Sequence, residues 1–146
     1  MNEELRSLID RRAIEDVLVE YARAVDARDW PALTECFTTD CAVDYAISGH
    51  ADGPDEVVAR CRVAVEPLDV TQHYVSNPVV AIAGDVATST CALMAVHVRA
   101  GRTFTFGGAY ADRWRRVEAG WRISHRRLER RWTAGDPTLV PRNERS

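Results

Sequence analysis

Apolar residues recur with a helical period in residues 2–28. Four of them are spaced by three or four positions, with charged residues between them: Ile14, Leu18, Tyr21 and Val25. This spacing puts an apolar stripe on one side of a helix and charged side chains on the other. The pattern therefore predicts a long amphipathic helix across this segment.

The following segment predicts two shorter helices with a strand between them. Asp29 is a good N-cap and Pro31 suits a first helical turn, so a short helix is expected to begin there. Residues 41–47, CAVDYAI, indicate a strand. Residues 48–56 are rich in turn formers, and residues 55–65 indicate a third helix.

After residue 67 the pattern changes to that of strands. Runs rich in β-branched residues are separated by short turns and indicate an antiparallel meander of four long strands: residues 70–83, 86–98, 103–117 and 121–132. Helices followed by such a sheet predict an α+β fold, in which a curved sheet wraps around the N-terminal helices as an open cone. Gly107 and Gly108 are expected to bend the sheet or form a bulge.

The length fits one domain. We expect the 146 residues to form a single domain over residues 1–132, followed by an irregular tail over residues 133–146. In that tail, the apolar residues Leu139 and Val140 are placed to cover an opening as a lid or to contact a neighbouring subunit.

The composition is that of a folded globular protein, with 46% hydrophobic and 28% charged residues. A net charge of −3 gives no general attraction for nucleic acid. Arginines cluster between residues 113 and 131, but alternation along a strand would send them to opposite faces, which favours a solvated rim. All nineteen basic residues are arginine, so the chain has no lysine to form a Schiff base.

The four cysteines show no motif spacing. No C-x-x-C pair occurs among them, so neither a zinc site nor a redox motif is indicated; they are Cys36, Cys41, Cys61 and Cys91. The charged N-terminus lacks the apolar core of a signal peptide. The uncharged stretches are shorter than the roughly 20 residues of a membrane span. We therefore expect a cytoplasmic protein with reduced, mostly buried thiols and no membrane association.

Candidate chemistry begins with Asp26, at the edge of the apolar stripe of the first helix. A carboxylate in this position is costly unless a partner compensates it. His73 and His97 lie on two of the predicted strands, and each shares a face with side chains expected to point into the cone. Asp26, His73 and His97 would then meet near its opening, where Tyr45 joins them from the first strand.

Such a group suits proton transfer at carbon, because histidine titrates nearer to neutral pH than other side chains, a carboxylate fixes its tautomer and a phenol polarises a carbonyl. Structural alternatives are a hydrogen-bonded core histidine at position 73, helix-end capping by Asp26, and core packing of Tyr21 and Tyr45. Two histidines and a carboxylate also resemble an iron triad, but the compact H-x-D spacing is missing, so no metal is expected.

Five stretches carry a family resemblance: YARAVDARDW, VDY, TQHYVSN, MAVH and WRRVEAGWRI. Over residues 8–132 the chain resembles the scytalone dehydratase-like branch of the SnoaL-like proteins, which share the cone-shaped, cystatin-like α+β barrel fold of nuclear transport factor 2. The resemblance implies that His73 is the general acid–base, that His97 is a second active-site histidine and that Asp26 supports His73. It also implies that Tyr45 acts on the substrate carbonyl through a water molecule.

The sequence departs from this family at one catalytic position. Val25 stands where the dehydratase has its other catalytic tyrosine, and Tyr21, one helical turn earlier, is the candidate to replace it. Gly108 and Tyr110 fall where the dehydratase contacts its substrate through a serine and an asparagine.

The resemblance implies a cofactor-independent dehydratase (a lyase) or isomerase acting on a small cyclic or polyketide-like hydroxy ketone. The alternative is a non-catalytic small-molecule-binding or subunit-type domain of the same fold. Apolar residues on the outer sheet face, Met94, Val96 and Val98, favour self-association as a homodimer or homotrimer.

Overall fold

The computed structural model describes residues 1–141 and opens with the predicted long helix. Helix α1 spans Glu3–Ala27. It begins at Asn2, whose side chain accepts a hydrogen bond from the backbone of Leu5, and it ends at Arg28, which adopts a left-handed φ of 55°. The apolar stripe predicted for this helix is buried, so the helix is confirmed in its position and orientation.

Helix α2 spans Trp30–Thr34 and begins where the sequence predicted it, with the Asp29 carboxylate accepting a hydrogen bond from the backbone of Ala32 at 3.2 Å. Helix α3 spans Gly53–Val65. The Arg28 guanidinium donates to the backbone carbonyls of Val65 and Leu68, each at 2.8 Å. These two bonds join the end of α1 to the end of α3.

The region between the helices differs from the prediction. Strand β1 spans Phe37–Asp44, so it begins earlier than expected and ends before Tyr45. A 3₁₀ helix at Ala46–Ser48 replaces the end of the predicted strand, and the segment rich in turn formers contains strand β2 at His50–Asp52. Strand β2 pairs antiparallel with β1. A three-residue strand is too short to show alternation in the sequence, which is why the prediction missed it.

The four long strands are confirmed. Strand β3 spans Val70–Ala83, β4 spans Val86–Arg99, β5 spans Arg102–Val117 and β6 spans Gly120–Gly135. Over residues 1–141 one sheet forms in the order β2-β1-β6-β5-β4-β3, with β1 parallel to β6 and the other neighbours antiparallel. The curved, unclosed sheet and the helices on its concave side give the α+β fold that the sequence predicted.

The sheet is bent at the two glycines named from the sequence. The register between β5 and β6 shifts at Gly107 and Gly108. A side chain at Gly108 would collide with the backbone carbonyl of Glu129, and one at Gly107 would collide with the Trp132 ring. Only glycine fits this close approach of two strands, so the expected bulge is confirmed.

The C-terminal segment is more regular than predicted. Strand β6 continues past residue 132 because Gly135 still pairs with Phe104 of β5, so the irregular tail begins later than position 133. A 3₁₀ helix follows at Pro137–Leu139. Leu139 and Val140 are buried, whereas the lid or subunit-contact role assigned to the tail stays a prediction. Residues 142–146 of that tail lie outside the described residues.

The arginine-rich strand is not a purely solvated rim. Arg126 is fully buried, which corrects the prediction that alternation would leave these arginines at the surface. All four cysteines are buried with free thiols, as expected. Among residues 1–141, no helix is long and apolar enough to cross a membrane.

Candidate active site

A cavity lies inside the cone, between helices α1 and α3 and the concave face of the sheet, with Val140 on its wall. The volume of this cavity is about 60 Å³. Six of the seven residues predicted for the site line this cavity: Tyr21, Val25, Tyr45, His73, His97 and Tyr110. The seventh, Asp26, lies behind His73. The fold therefore brings together side chains that are far apart in the sequence.

Asp26 in the last turn of α1 is hydrogen-bonded to strand β3. Its Oδ1 lies 2.7 Å from Nδ1 of His73 and accepts a hydrogen bond from the Thr71 hydroxyl at 3.1 Å. Its Oδ2 accepts the backbone N–H of His73 at 2.8 Å. Because a carboxylate accepts, Nδ1 of His73 carries the hydrogen and Nε2 carries the lone pair. The carboxylate thus orients a basic nitrogen on a cavity-lining ring.

His97 on β4 is a second oriented imidazole. Its Nδ1 donates a hydrogen bond to the carbonyl of Phe104 at 3.0 Å, and its ring stacks on Phe106 with centroids 5.5 Å apart. Burial lowers the pKa of His97 to about 4, with smaller contributions from the neighbouring His73 and Arg130, and it outweighs the hydrogen bond to the Phe104 carbonyl, which raises the pKa. The ring is therefore neutral at physiological pH, and its Nε2 is a hydrogen-bond acceptor. The ring centroids of His73 and His97 are 6.2 Å apart.

Two phenols share one hydrogen bond at another part of the cavity wall. The hydroxyl oxygens of Tyr21 and Tyr45 are 2.7 Å apart, and the Cys61 sulfur lies 3.6 Å from the Tyr45 hydroxyl oxygen. Burial raises the pKa of both phenols well above the usual tyrosine range, so both stay protonated and can donate. Tyr45 lies just beyond β1 rather than within it, which corrects its predicted position.

Tyr21, the candidate to replace the missing tyrosine, lines the cavity, whereas its role as a replacement stays a prediction. It lies one turn before Val25 on α1, and its hydroxyl reaches Tyr45. Val25 supplies an apolar part of the cavity wall. Tyr110 also lines the cavity, and its ring packs edge-on against Tyr21 at 5.8 Å. Gly108 forms the bulge instead of contacting the cavity.

The sequence analysis missed two charged residues of the cavity, Arg60 on α3 and Arg130 on β6. Arg130 on β6 lines it, with its guanidinium carbon 4.1 Å from the centroid of the Phe106 ring. Register shifts opposite Gly107 and Gly108 and between Arg113 and Trp114 add residues to β6. Simple alternation therefore could not tell which arginines point inward. The spacing of Arg126, Leu128 and Arg130, between the shifts, is the signal that was available.

The curved sheet wrapped around N-terminal helices is the nuclear transport factor 2-like, cystatin-like α+β fold, as in a Novosphingobium aromaticivorans protein of that description, which superposes with a TM-score of 0.74 at 26% identity over 86% of this chain and 84% of the other. Within that class, a sequence model described as a SnoaL-like domain matches residues 6–127. The chain therefore belongs to the SnoaL-like domain family, which confirms the resemblance seen in the sequence.

Relatives and solved structures agree with this assignment. The chain is 32% identical over 121 residues to an uncharacterized protein of Mycobacterium tuberculosis, covering 80% of this chain and 82% of that protein. A hexachlorocyclohexane dehydrochlorinase (LinA type 2) superposes with a TM-score of 0.84 at 17% identity, covering 97% of this chain and 99% of the other. A Novosphingobium aromaticivorans protein, named provisionally as a scytalone dehydratase, gives 0.79 at 22% identity, with 96% and 97% covered. At these identities the two structures show the shared fold.

Proposed function

We propose that this protein is a cofactor-independent dehydratase or isomerase that moves a proton on a small cyclic or polyketide-like hydroxy ketone. One observation carries the proposal: the Asp26–His73 pair and the Tyr21–Tyr45 hydroxyl pair line or adjoin the same cavity. An oriented base and protonated phenols are what abstraction of a proton next to a carbonyl requires.

In the proposed reaction, Nε2 of His73 takes a proton from the carbon next to the substrate carbonyl. The electron pair of the broken C–H bond forms an enolate, whose oxygen accepts hydrogen bonds from Tyr45 and Tyr21. The imidazolium is stabilised by Asp26 and then donates its proton to the β-hydroxyl group, which leaves as water while the carbon–carbon double bond forms. In an isomerase, the same proton would return to a different carbon. Neither route changes the redox state of the substrate.

His97 takes a different part from His73 in this proposal. Its neutral ring presents an acceptor nitrogen, which suits it to hold the hydrogen of a substrate hydroxyl rather than to donate a proton. The remaining wall is largely apolar and includes Val25, Phe106 and Leu128. This supports a compact carbon skeleton with few polar groups as the substrate.

The names of two structural neighbours fit the same reaction class. One describes removal of water and the other removal of hydrogen chloride, and both are eliminations. The alternative, a ligand-binding or subunit-type domain without chemistry, has the same fold and would use the same cavity.

A panel of cyclic β-hydroxy ketones, including 3-hydroxycyclohexanone and 3-hydroxy-1-tetralone, distinguishes these functions. Loss of water converts 3-hydroxycyclohexanone to cyclohex-2-enone and 3-hydroxy-1-tetralone to 1-naphthol; both products are followed by ultraviolet absorbance, and binding is followed in parallel by calorimetry. Enzyme-dependent product supports the dehydratase. Binding without any product or any positional isomer would contradict it and support the binding domain.

We also propose that the outer face of the sheet mediates self-association. Met94 is paired across the sheet with Tyr74 on one side and with Gly107 on the other, and Gly107 pairs with Trp132. Tyr74, Met94 and Trp132 are 46%, 38% and 49% exposed, and Val96 and Val98 nearby are half-buried. Three large, exposed side chains in one row across the sheet are typical of an interface. The cytoplasmic localisation expected from the sequence stays a prediction.

A further inference from the structure

A buried ion pair lies directly behind the cavity tyrosines. Arg126 on β6 is paired across the strands with Asp112 on β5. The guanidinium donates two hydrogen bonds to the carboxylate, at 2.7 Å from Nε and 2.9 Å from Nη2, and both side chains are inaccessible to solvent. Apolar residues of similar volume often replace such a pair without loss of stability. Stability of the fold alone therefore does not account for an arginine at this position.

The guanidinium contacts the faces of two tyrosine rings. Its central carbon is 3.8 Å from the centroid of Tyr110 and 4.4 Å from that of Tyr21. Within residues 1–141, its Nη1 is buried without a hydrogen-bond partner, so this part of the cation is not neutralised by an acceptor. A cation held against ring faces away from water exerts a strong local field.

We infer that Arg126 is a positioning residue that holds the Tyr21 and Tyr110 rings and polarises the Tyr21–Tyr45 hydroxyl pair toward a ligand oxygen bearing negative charge. Arg126 is not among the cavity-lining residues, so it acts through the tyrosines. The inference rests on the proposed function, because it adds a reason why the site favours an enolate over a neutral ketone.

The electrostatics of the phenols agree with this geometry. Burial raises the pKa of Tyr21 and Tyr110, and the nearby Arg126 charge opposes that rise. A phenol beside a cation is a stronger hydrogen-bond donor, because the cation stabilises the negative charge that donation leaves on its oxygen. The Tyr21 hydroxyl is 2.7 Å from that of Tyr45, so the effect extends to the second phenol.

The test compares an anionic probe with a neutral one of similar shape. Binding of 4-nitrophenolate and of nitrobenzene is measured by calorimetry for the wild type and for the double variant Arg126→Met/Asp112→Leu, above the pH at which free 4-nitrophenol ionises. The double variant leaves the net charge unchanged. We expect its affinity for 4-nitrophenolate to fall about tenfold, as for loss of a desolvated cation–π contact, and its affinity for nitrobenzene to stay within about twofold.

Phe37→Leu is the matched control, because Phe37 contacts the Tyr21 ring edge-on at 5.9 Å without a charge. This variant should weaken the binding of both probes equally. Tyr21→Phe should reduce the preference for the anion. The triple variant, Tyr21→Phe with Arg126→Met/Asp112→Leu, should show little further reduction, because both changes act through one hydroxyl. Circular dichroism and thermal unfolding verify that each variant is folded.

An unchanged ratio of the two affinities in a folded double variant would overturn the inference. The same holds if the wild type shows no preference for the anion or binds neither probe. The proposed function fails separately, if His73→Ala retains full turnover. If the preference for the anion depends on Arg126 but the protein transfers no proton, the inference stands and the cavity is a binding site for an anionic oxygen rather than an active site.

Discussion

At the scale of single residues, the cost of Asp26 is offset by its three hydrogen bonds to β3. The carboxylate accepts from the Thr71 hydroxyl, the backbone of His73 and the His73 ring. Each bond to a charged acceptor contributes more than a neutral one. The same contacts that stabilise the end of α1 against β3 also select the tautomer of His73, so stability and chemistry depend on one side chain.

The variant Asp26→Asn tests that dependence. The amide keeps the shape but loses the charge that stabilises an imidazolium, so kcat should fall by about 10²- to 10⁴-fold while KM changes little. Steady-state kinetics on a converted hydroxy ketone measure this. Asp16→Asn, in an exposed pair on the same helix, is the control and should leave kcat unchanged. An equal fall in both variants would contradict the assigned role.

His97 makes stability depend on pH. Its pKa is about 4 in the folded protein and about 6.5 when unfolded. Between these values the unfolded chain binds more protons, so stability is fully present above pH 6.5 and is lost as pH falls towards 4. The free energy of unfolding should be roughly 2 kcal/mol lower at pH 5 than at pH 7 from this group alone.

Urea unfolding of the wild type and of His97→Asn at both pH values measures that contribution. The asparagine amide can still donate to the Phe104 carbonyl but does not titrate, so most of the difference between pH 5 and pH 7 should disappear. His50→Asn, at an exposed position of strand β2, should retain the difference. Identical pH dependence in wild type and His97→Asn would show that the imidazole is not held neutral by burial.

At the scale of elements, the bulge between β5 and β6 decides which side chains enter the core. Gly108 approaches the backbone of Glu129 too closely for any Cβ atom, and the shift of register there separates Arg130, which lines the cavity, from Trp132 on the outer face. The curvature of the sheet and the placement of Arg130 in the site therefore depend on the same irregularity.

Gly108→Ala tests the need for this close approach. The methyl group forces the strands apart, and we expect the free energy of unfolding to fall by about 1–3 kcal/mol or more. Gly84→Asn is the control, because Gly84 has open space around it at a φ of +66°, which asparagine tolerates. In chemical denaturation, its free energy of unfolding should stay within about 1 kcal/mol of the wild-type value. Equal stability of Gly108→Ala and the wild type would contradict the packing described here.

The sequence allowed most elements to be predicted because each long strand and helix is bounded by glycine, proline or a capping residue. The Asp26 carboxylate was recognisable because it broke an apolar stripe. Strand β2 could not be predicted because it forms only by pairing with β1. The burial of Arg126 could not be predicted because two register shifts in β6 interrupt the alternation of inward and outward side chains. The cluster of Tyr21, Tyr45 and Cys61 depends on contacts between distant segments that no local pattern records.

At the scale of the whole molecule, the proposed self-association surface is the row formed by Tyr74, Met94 and Trp132. Trp132→Glu places a charge at one end of this row and should weaken association at least about 30-fold, the effect typical of an interface hot spot. Val19→Glu is the control, since Val19 is 59% exposed on helix α1. Light scattering after size exclusion measures the mass. A monomeric wild type, or an unchanged oligomer in Trp132→Glu, would contradict the interface.

The central claim is that His73 moves a proton on carbon, and hydrogen exchange in D₂O tests it most directly. Proton NMR follows loss of the hydrogens next to the carbonyl of 3-hydroxycyclohexanone and 3-hydroxy-1-tetralone, with and without protein. The wild type should accelerate exchange of at least one of them, whether or not water is lost afterwards. His73→Ala should return the rate to background with a nearly unchanged melting temperature. Exchange at the wild-type rate in folded His73→Ala, or no acceleration by the wild type, would contradict the claim.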